Sequence, residues 1–338
     1  MYTDFKDRIL IDSVYCHQGG GKTILDHFIK EIIKNNKQDV FYFLVDDRYK
    51  NSELNLLSSI KANEKNRYNF FKRNKTQIRS LICFGNVPPP IYLKCKVLIY
   101  FQNDLLIDWN NSNYNFLSRF LFRIKNRYLK IKNQQNYIWI VQTNLMKTKL
   151  QKSLNLRNDN IKIYPLFFEK ENISNVRFNK KFLYVGDNKP HKNLINLLNA
   201  FNLITDHELE IHLTITENEF KKLKIEPSLN KNIKLYLHGE IAKLELYDLY
   251  TDCCFFVYPS LKESFGLPLI EATLHGCKVI ASDLDYVKEI ILPSLYFNPQ
   301  STIDISNKIK LSLNDKCLIE SKVKVRDKTL DLISYLEN

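Results

Sequence analysis

Two glutamates with seven residues between them stand out in the stretch YPSLKESFGLPLIEATLHGCKVIASD of the second half of the chain. Gly266 and Pro268 are typical of the start of a helix, and Gly276 is typical of its end. Glu271 would then lie inside the helix, where its carboxylate can accept hydrogen bonds from two vicinal hydroxyls, such as those of a ribose. Glu263 precedes the helix and would reach a different polyol.

The start of this predicted helix is also a candidate anion site. The backbone N–H groups of Phe265, Gly266 and Leu267, next to Ser264, would point out of the helix end, where the helix dipole favours negative charge. A diphosphate flanked by two sugars fits this layout. The alternative is that both glutamates are solvated and that the glycine and proline serve only the fold.

A second candidate phosphate-binding segment is CHQGGGKTILDH, which follows the apolar run RILIDSVY. A P-loop requires a glycine five residues before Gly21, and that position is Cys16, so the P-loop motif is incomplete. At Gly20 and Gly21 the backbone can still approach a ligand closely, and the following helix would begin with free N–H groups. The alternative is a βα turn in which the glycines serve geometry alone. Lys22 is a cation at the start of that helix.

Strand-like runs alternate with helical patterns along most of the chain, which predicts an α/β fold with parallel sheets. The predicted strands are RILIDSVY, DVFYFLVD, SLICFG, KVLIYFQ, NYIWIVQ and NIKIYPL, then KFLYVGD, LEIHLTI, NIKLYLHG, CCFFVYPS, CKVIASD and SLYFNP. We expect two doubly wound, Rossmann-like domains over residues 1–170 and 171–314, with an aperiodic linker from Phe167 to Asn179. Helices over 315–338 could pack back on the first domain. The two domains would face a central cleft, with ligands at the carboxyl ends of the strands.

The net charge of +13 lies wholly in the first half, because residues 171–338 hold 21 Lys and Arg against 23 Asp and Glu. One basic segment, Phe116–Lys132, has apolar residues at helical spacing beside cations and contains no acid: Phe116, Phe120, Ile124 and Tyr128 beside Arg119, Arg123, Lys130 and Lys132. This pattern predicts a helix that lies on an anionic membrane surface. The alternative is an ordinary surface helix whose apolar side packs on its domain. No nucleic-acid-binding motif is present, and we expect no nucleic-acid partner.

Composition also restricts the possible cofactors and location. The seven cysteines include no C-x-x-C pair and the histidines form no H-x-x-x-H pattern, so we expect no metal site. No apolar run approaches the length of a membrane span, and the first residues lack a basic segment followed by an apolar one. We expect a cytoplasmic protein that needs no metal or other cofactor.

The stretch ESFGLPLIEA, followed by GCKVIASD, resembles the E-x7-E signature of retaining glycosyltransferases of family 4, which have the GT-B fold. In that family the first glutamate contacts the donor sugar and the second contacts the ribose of a nucleotide sugar. The resemblance implies these roles for Glu263 and Glu271.

The resemblance extends outward from this signature. KFLYVGDNKPHKNLINLLNAF is similar to the first strand and helix of the family's donor domain, in which a lysine binds the diphosphate, here Lys192. The glycine triplet with Gly20 and Gly21 resembles the family's N-terminal glycine loop, which closes over the same phosphates. Many members have an arginine beside the strand-end glycine. Here Gly186 is followed by an aspartate, and His191 or another basic group would replace that cation.

A second departure concerns the acceptor. Family members commonly place a histidine near the acceptor in the N-terminal domain, where IYFQND instead offers Gln102 and Asn103. Both amides could bind sugar hydroxyls.

The resemblance implies transfer of a sugar from a nucleotide sugar to a glycan or to a lipid-linked sugar, such as a polyprenyl-diphosphate-linked acceptor. Transfer would retain the anomeric configuration and serve bacterial surface polysaccharide assembly of the O-antigen or capsule type, at the inner face of the plasma membrane. Lys192, helix N-terminal amides and the glycine loop would stabilise the departing diphosphate without a metal. Two alternatives stay open: a nucleotide-sugar epimerase or hydrolase on the same fold, and a non-catalytic member that holds a glycan or nucleotide.

Overall fold

The computed structural model of the chain describes residues 8–50, 54, 57–109, 114–168, 179–223, 229–314 and 318–338. The chain divides into two compact units, the first made of Met1–Phe168 and Asp327–Asn338 and the second of Glu169–Arg326. The linker expected from Phe167 to Asn179, with the expected boundary after residue 170, lies outside the described residues except at its ends. The chain returns to the first unit at Asp327, and not directly after residue 314.

The first unit is built on a seven-stranded parallel sheet with the strand order β3-β2-β1-β4-β5-β6-β7. The strands are β1 (Ile9–Ser13), β2 (Phe41–Asp46), β3 (Leu57–Ile60), β4 (Ser80–Cys83), β5 (Lys96–Tyr100), β6 (Ile138–Val141) and β7 (Ile161–Ile163). Every residue of β1 and β2 is buried, as expected for parallel strands that are covered on both faces.

The described residues of the first unit form the helices α1 (Gly19–Lys34), α2 (Glu64–Asn74), α3 (Phe116–Lys132), α4 (Asn144–Leu154) and the C-terminal α11 (Thr329–Glu337). Side chains cap three of them in the usual way, with Asn63, Asn115 and Thr143 accepting from backbone N–H groups in the first turns of α2, α3 and α4. Helix α1 starts differently, because no side chain caps it and its first three residues are glycines.

The second unit is built on a six-stranded parallel sheet with the strand order β10-β9-β8-β11-β12-β14. Its elements are β8 (Lys181–Tyr184), α5 (Leu194–Asn202), β9 (Leu209–Leu213), α6 (Glu217–Lys222), β10 (Ile233–Leu237), α7 (Lys243–Asp252), β11 (Phe255–Tyr258), α8 (Leu267–Leu274), β12 (Lys278–Ser282), α9 (Asp285–Ile290), β14 (Leu295–Phe297) and α10 (Thr302–Ser312). A short antiparallel pair joins β13 (Ile291–Leu292) to β15 (Lys322–Val323).

All of the strands predicted from the sequence are present, and both units are doubly wound as expected. The structure adds β3 and α2 in the first unit. The helix expected from Pro190 begins as a 3-10 turn, because Asn193 adopts a left-handed conformation with φ 59° before α5 starts. The C-terminal segment holds β15 and a single helix rather than helices throughout, and residues 315–317 lie outside the described chain.

The strand orders fix where each unit can bind a ligand. In the first unit β1 lies between β2 and β4, and in the second β8 lies between β9 and β11. The winding direction reverses at these central strands, so the loops after β1 and β4, and after β8 and β11, flank an open crevice at the carboxyl edge. Lys192 and Glu263 lie on the loops after β8 and β11, whereas Gln102 and Asn103 follow β5.

Candidate functional site

The loops after β8 and β11 bring Lys192 and Glu263 together in the second unit. Lys192 ends the 3-10 turn that follows β8, and Glu263 lies on the loop between β11 and α8. The Lys192 ammonium donates to Oε1 of Glu263 at 2.7 Å, and both side chains are largely buried. Residues 71 positions apart in the sequence therefore form one ion pair at the carboxyl edge of the sheet.

The two oxygens of the Glu263 carboxylate differ in their surroundings. Oε1 also accepts from the hydroxyl of Ser260 at 2.6 Å and from that of Tyr258 at 2.8 Å. Oε2 makes no hydrogen bond to any residue that the structure describes. One oxygen is thus fixed by three donors, which leaves the other able to accept from a ligand hydroxyl.

Glu263 is held in its ionised form. Burial opposes ionisation, but the nearby ammonium of Lys192 and the hydrogen bonds from Lys192 and Ser260 outweigh it, so the pKa of the carboxyl lies below its ordinary value. The result is a buried carboxylate with a fixed orientation.

Backbone contacts tie the two loops to each other. The carbonyl of His191 accepts from the N–H of Leu261 at 2.7 Å and from the hydroxyl of Ser260 at 3.1 Å. The hydroxyl of Tyr286, on α9, donates to the carbonyl of Ser260 at 2.7 Å. The imidazole of His191 is buried, and burial lowers its pKa, which favours the neutral form. His191 therefore lies beside the Lys192–Glu263 pair without adding a second full charge at neutral pH.

Any residue other than glycine at position 186 would require the side chain of Tyr184 to move. A Cβ at this position would be 2.9 Å from the hydroxyl of Tyr184, which donates to the carbonyl of Asp187 at 2.8 Å. The side chain of Asp187 pairs with the ammonium of Lys189. Lys189 is the first cation after Gly186 in the sequence, but its charge is paired with that of Asp187.

Helix α8 starts where the sequence predicts. Gly266 is its N-cap with φ 81°, Pro268 lies in its first turn, and Gly276 follows its end with φ 77°. A Cβ at Gly266 would contact the side chain of Leu269 at 3.2 Å, so the left-handed conformation and the space both favour glycine. Phe265 is buried and Ser264 is partly exposed. No side chain caps α8, and its first residue is Leu267.

Glu271 lies on α8 among aromatic side chains of α7. The hydroxyl of Tyr250 is 3.4 Å from its Oε2, and the ring of His275 stacks on that of Tyr247 with centroids 4.6 Å apart. Burial raises the pKa of Glu271, and the nearby ammonium of Lys243 only partly offsets this effect. The two glutamates of the motif therefore differ, because Glu263 favours the charged form and Glu271 takes up a proton more readily.

The first unit brings the glycine loop and Gln102 together. Gly20 and Gly21 form the first turn of α1, and a Cβ at Gly21 would be 3.3 Å from the side-chain nitrogen of Gln102. The backbone N–H of Gln102 donates to the side chain of Asn86 at 2.6 Å. Asn103 instead caps the 3-10 turn that follows β5, where its side-chain oxygen accepts from a backbone N–H. Lys22 pairs with Asp26 of the same helix at 2.6 Å.

The sequence reasoning missed four side chains that surround the two glutamates: Tyr258, Ser260, Lys243 and Tyr250. Tyr258 and Ser260 stand in the same stretch as the motif, where β11 ends, and their position at a carboxyl strand end is a signal that could have found them. Lys243 and Tyr250 are on α7, and no local pattern points to them.

The residues that the structure describes bear on two kinds of feature, membrane-spanning helices and clusters of metal ligands. None of their helices combines the length and apolar character needed to cross a bilayer. They also contain no group of three or more His, Cys, Asp or Glu side chains that could hold a metal ion.

Part of the chain is similar in sequence to a known family. Residues 168–329 match the model of the family described as glycosyl transferases group 1. Over 210 residues the chain is 27% identical to the O-antigen chain mannosyltransferase RfbU of Salmonella typhimurium, and the match covers 58% of this chain and 56% of RfbU. The chain thus spans about half the length of this relative.

Solved structures resemble nearly the whole chain. Sucrose-phosphate synthase from Thermosynechococcus elongatus matches with a TM-score of 0.70 and 16% identity, over 91% of this chain and 90% of that one. HepE of Anabaena in complex with UDP-glucose matches with a TM-score of 0.65 and 13% identity, over 91% and 90% of the two chains. These likenesses confirm the expected fold class, two Rossmann-like α/β domains of the GT-B type.

Proposed function

We propose that the protein is a retaining glycosyltransferase of family 4 that transfers a hexose from a nucleotide sugar. The observation that carries this proposal is the Lys192–Glu263 pair at the carboxyl edge of the second unit, with one carboxylate oxygen left without a hydrogen bond from the described chain. The family match over residues 168–329 covers both residues. The complex of HepE with UDP-glucose offers a precedent for a nucleotide sugar on this fold.

The site residues have separate roles in this proposal. Oε2 of Glu263 accepts from a hydroxyl of the donor sugar, and Glu271 accepts from the ribose hydroxyls. Lys192 contacts the diphosphate, whose negative charge grows as the sugar departs, and a cation already in place lowers that barrier without reorganisation. The amides of Ser264, Phe265, Gly266 and Leu267, with Gly186 and His191, complete the donor side.

The glycine loop contributes from the first unit. Gly20 and Gly21 offer backbone N–H groups to a phosphate, since α1 begins without a side-chain cap. Transfer proceeds without a metal ion or other cofactor, so chelation with EDTA leaves the rate unchanged.

The acceptor is a glycan or a polyprenyl-diphosphate-linked sugar, and the pathway is the assembly of a bacterial surface polysaccharide. RfbU, an O-antigen chain mannosyltransferase, supports this assignment. Gln102 and Asn103 form the acceptor side, with Gln102 the better placed because it borders Gly21 while Asn103 caps a turn. The protein acts in the cytoplasm, at the inner face of the plasma membrane.

Product analysis with a panel of nucleotide sugars tests the proposal. We expect one nucleotide sugar to raise the melting temperature of the protein. With an acceptor it should yield a nucleoside diphosphate and a glycosylated product whose new linkage has the anomeric configuration of the donor. Nucleotide release without any acceptor product would indicate a hydrolase, and a new sugar nucleotide would indicate an epimerase. Binding without turnover would indicate a non-catalytic member.

The membrane contact in this proposal rests on the first part of α3. Phe116 is 84% exposed and Leu117 is 65% exposed, and Phe120, Leu121 and Ile124 are each about half exposed. These residues occupy one face of the helix, so the apolar side does not pack on the domain. Arg119 and Arg123 are exposed on the same helix. An apolar stripe with flanking cations matches an anionic lipid surface.

Flotation with vesicles tests this contact. We expect the protein to bind vesicles of phosphatidylcholine and phosphatidylglycerol and to release them at high salt. Replacing Arg119 and Arg123 together with glutamine should weaken binding roughly 30-fold, at about 1 kcal/mol for each cation. The control is Ile303→Ser, at a 66% exposed apolar residue of the second unit, which should bind as the wild type does. Equal binding to neutral vesicles would contradict the contact.

A further inference from the structure

Helix α3 has two parts with different surroundings. Residues 116–125 contact the domain little, with eight of the ten exposed and none buried. The part from Asn126 to Lys132 packs on the domain, with Asn126 and Leu129 buried. The helix has 17 residues and is therefore about 25 Å long, so movement or restraint of the first part is transmitted to the second.

The packed part holds the segment that carries Gln102 and Asn103. The side-chain amide of Asn126 is buried and donates to the carbonyl of Leu106 at 2.9 Å. Leu106 belongs to the 3-10 turn that Asn103 caps. This contact joins α3 to the proposed acceptor side.

A second contact reaches the loop between β4 and β5. The ammonium of Lys132 donates to the carbonyl of Pro90 at 2.7 Å, and Arg67 of α2 donates to the carbonyl of Pro88 at 3.2 Å. The same loop contains Asn86, which has φ 67° and accepts from the backbone N–H of Gln102. Two helices therefore hold the loop that positions Gln102.

A third contact reaches the segment before the glycine loop through a single carboxylate. Glu64 at the start of α2 accepts from the hydroxyl of Tyr128 at 2.5 Å with Oε2, and from the hydroxyl of Tyr15 at 2.6 Å with Oε1. Arg67 donates to Oε1 at 2.8 Å. Tyr15 lies between β1 and Gly19, where a Cβ at Gly85 would be 3.1 Å from its ring. Glu64 thus connects α3 to the β1–α1 segment.

We propose that α3 is the positioning element of the acceptor side, so that docking of residues 116–125 on anionic lipid orders three segments: 14–21, 84–91 and 102–108. This inference rests on the proposed membrane contact. Lipid binding can shift a conformational equilibrium only if it distinguishes the two states. A docked α3 has one orientation, and the hydrogen bonds of Asn126, Tyr128 and Lys132 require that orientation. Glu64 and Tyr128 act through other groups, so they are positioning residues.

Hydrogen exchange of the full chain tests the inference without an identified substrate. The probe is vesicles of phosphatidylcholine with phosphatidylglycerol, compared with vesicles of phosphatidylcholine alone. On addition of the anionic vesicles we expect exchange to slow in residues 116–125 and, by about fivefold, in the three segments. Protection of 116–125 without any change in the three segments would overturn the inference.

Conservative variants separate positioning from folding. Tyr128→Phe and Tyr15→Phe each remove one hydrogen bond to Glu64, so both should keep protection of 116–125 and lose it in 14–21. The matched control is Tyr68→Phe, at an exposed tyrosine on the same helix as Glu64, which should respond as the wild type does. Wild-type protection of 14–21 in both test variants would contradict the role of Glu64.

The assays separate this inference from the proposed reaction. If anionic vesicles do not slow hydrogen exchange in residues 116–125, both the lipid contact and the inference are contradicted. The release of nucleoside diphosphate in solution would still report glycosyl transfer. Loss of transfer with intact protection of all three segments would instead contradict the proposed reaction alone.

Discussion

Two glutamates, one in each unit, are each held by a cation and by two side-chain hydroxyls, but they use their carboxylate oxygens differently. Glu64 of the first unit uses both carboxylate oxygens, with Tyr15 and Arg67 on one and Tyr128 on the other. Within the part of the chain that the structure describes, Glu263 of the second unit receives its three hydrogen bonds on Oε1 alone. A carboxylate whose oxygens are both satisfied holds a structure together, whereas one with an oxygen to spare can bind a ligand.

The charges agree with this distinction. Burial opposes ionisation of both glutamates, yet neighbouring cations and hydroxyl donors bring the pKa of each below its ordinary value. Arg67 beside Glu64 is 1% exposed and also binds Asp12, so its charge is used within the first unit. Lys192 pairs with Glu263, and no other carboxylate among the described residues forms a salt bridge with it. In the first unit, Arg67 is fully engaged by carboxylates of the same unit. In the second unit, the Lys192–Glu263 pair leaves one carboxylate oxygen able to bind a ligand.

The largest expected effect follows from replacing Glu263. Glu263→Ala should reduce transfer by at least about 10³-fold, or about 4 kcal/mol, because it removes the carboxylate proposed to accept a hydrogen bond from the donor sugar. The measurement is the release of nucleoside diphosphate under saturating donor. Glu217→Ala, at an exposed glutamate of α6 in the same unit, is the control and should keep the wild-type rate. Wild-type turnover of Glu263→Ala would show that the spare oxygen has no role.

Replacing Arg67 tests the structural half of the comparison. Arg67→Met leaves the buried carboxylate of Asp12 without its cation, and we expect the first unit to lose about 3–5 kcal/mol of unfolding free energy. Hydrogen exchange of the β1 amides in urea measures this loss. Arg73→Met, on the exposed side of the same helix, should change stability by less than about 0.5 kcal/mol. Equal stability of both variants would refute a structural role for the buried pair.

Replacing Lys192 should affect catalysis more than folding. Lys192→Met removes the cation that contacts the departing diphosphate in the proposed reaction, and the expected loss in kcat is about 10²–10³-fold. Lys189→Met is the matched control three residues earlier, since Lys189 is exposed and pairs with Asp187. It should lose at most a few-fold. A similar decrease in both variants would indicate a general charge effect rather than a specific contact.

The smallest expected effect concerns pH and Glu271. Because its pKa is raised by burial, Glu271 takes up a proton at a higher pH than an exposed glutamate does. The protonated form would be a weaker acceptor for the ribose hydroxyls of the proposed donor. Affinity for the nucleotide sugar should therefore fall as the pH is lowered through the weakly acidic range. In Glu271→Gln this dependence should disappear, with about 10-fold weaker binding at neutral pH. Titration calorimetry at several pH values measures both effects, and an unchanged pH dependence in the variant would exclude Glu271 as its source.

The sequence predicts the second unit better than the first because the candidate site residues of the second unit lie close together in the sequence. Gly266, Pro268 and Gly276 mark the bounds of α8 directly, and Glu263 and Glu271 flank its start. The strand that ends at Tyr258 then determines which loop carries Glu263. Pairing with Lys192 could be expected from the two adjacent strands, β8 and β11, since loops at the carboxyl ends of neighbouring parallel strands meet.

The first unit depends on contacts that local patterns do not reveal. Helix α2 was not predicted because its buried residues are Arg67 and Phe71, so it has no apolar stripe. Strand β3 is four residues long and only partly buried, which gives no clear alternation. Tyr128 shares the helical spacing of Phe120 and Ile124, yet its hydroxyl points to a carboxylate 64 positions away in the sequence. Tertiary contacts of this kind are fixed by packing and not by spacing.

Binding of the donor is the most direct test of the account. The nucleotide sugar that best stabilises the wild type in a thermal screen should be titrated into the wild type, Lys192→Met, Glu271→Ala and Glu217→Ala. We expect the first two substitutions each to weaken binding by at least about 10-fold, or about 1.4 kcal/mol, and Glu217→Ala to leave it unchanged. Wild-type affinity in both Lys192→Met and Glu271→Ala would contradict the assignment of the donor site to the second unit.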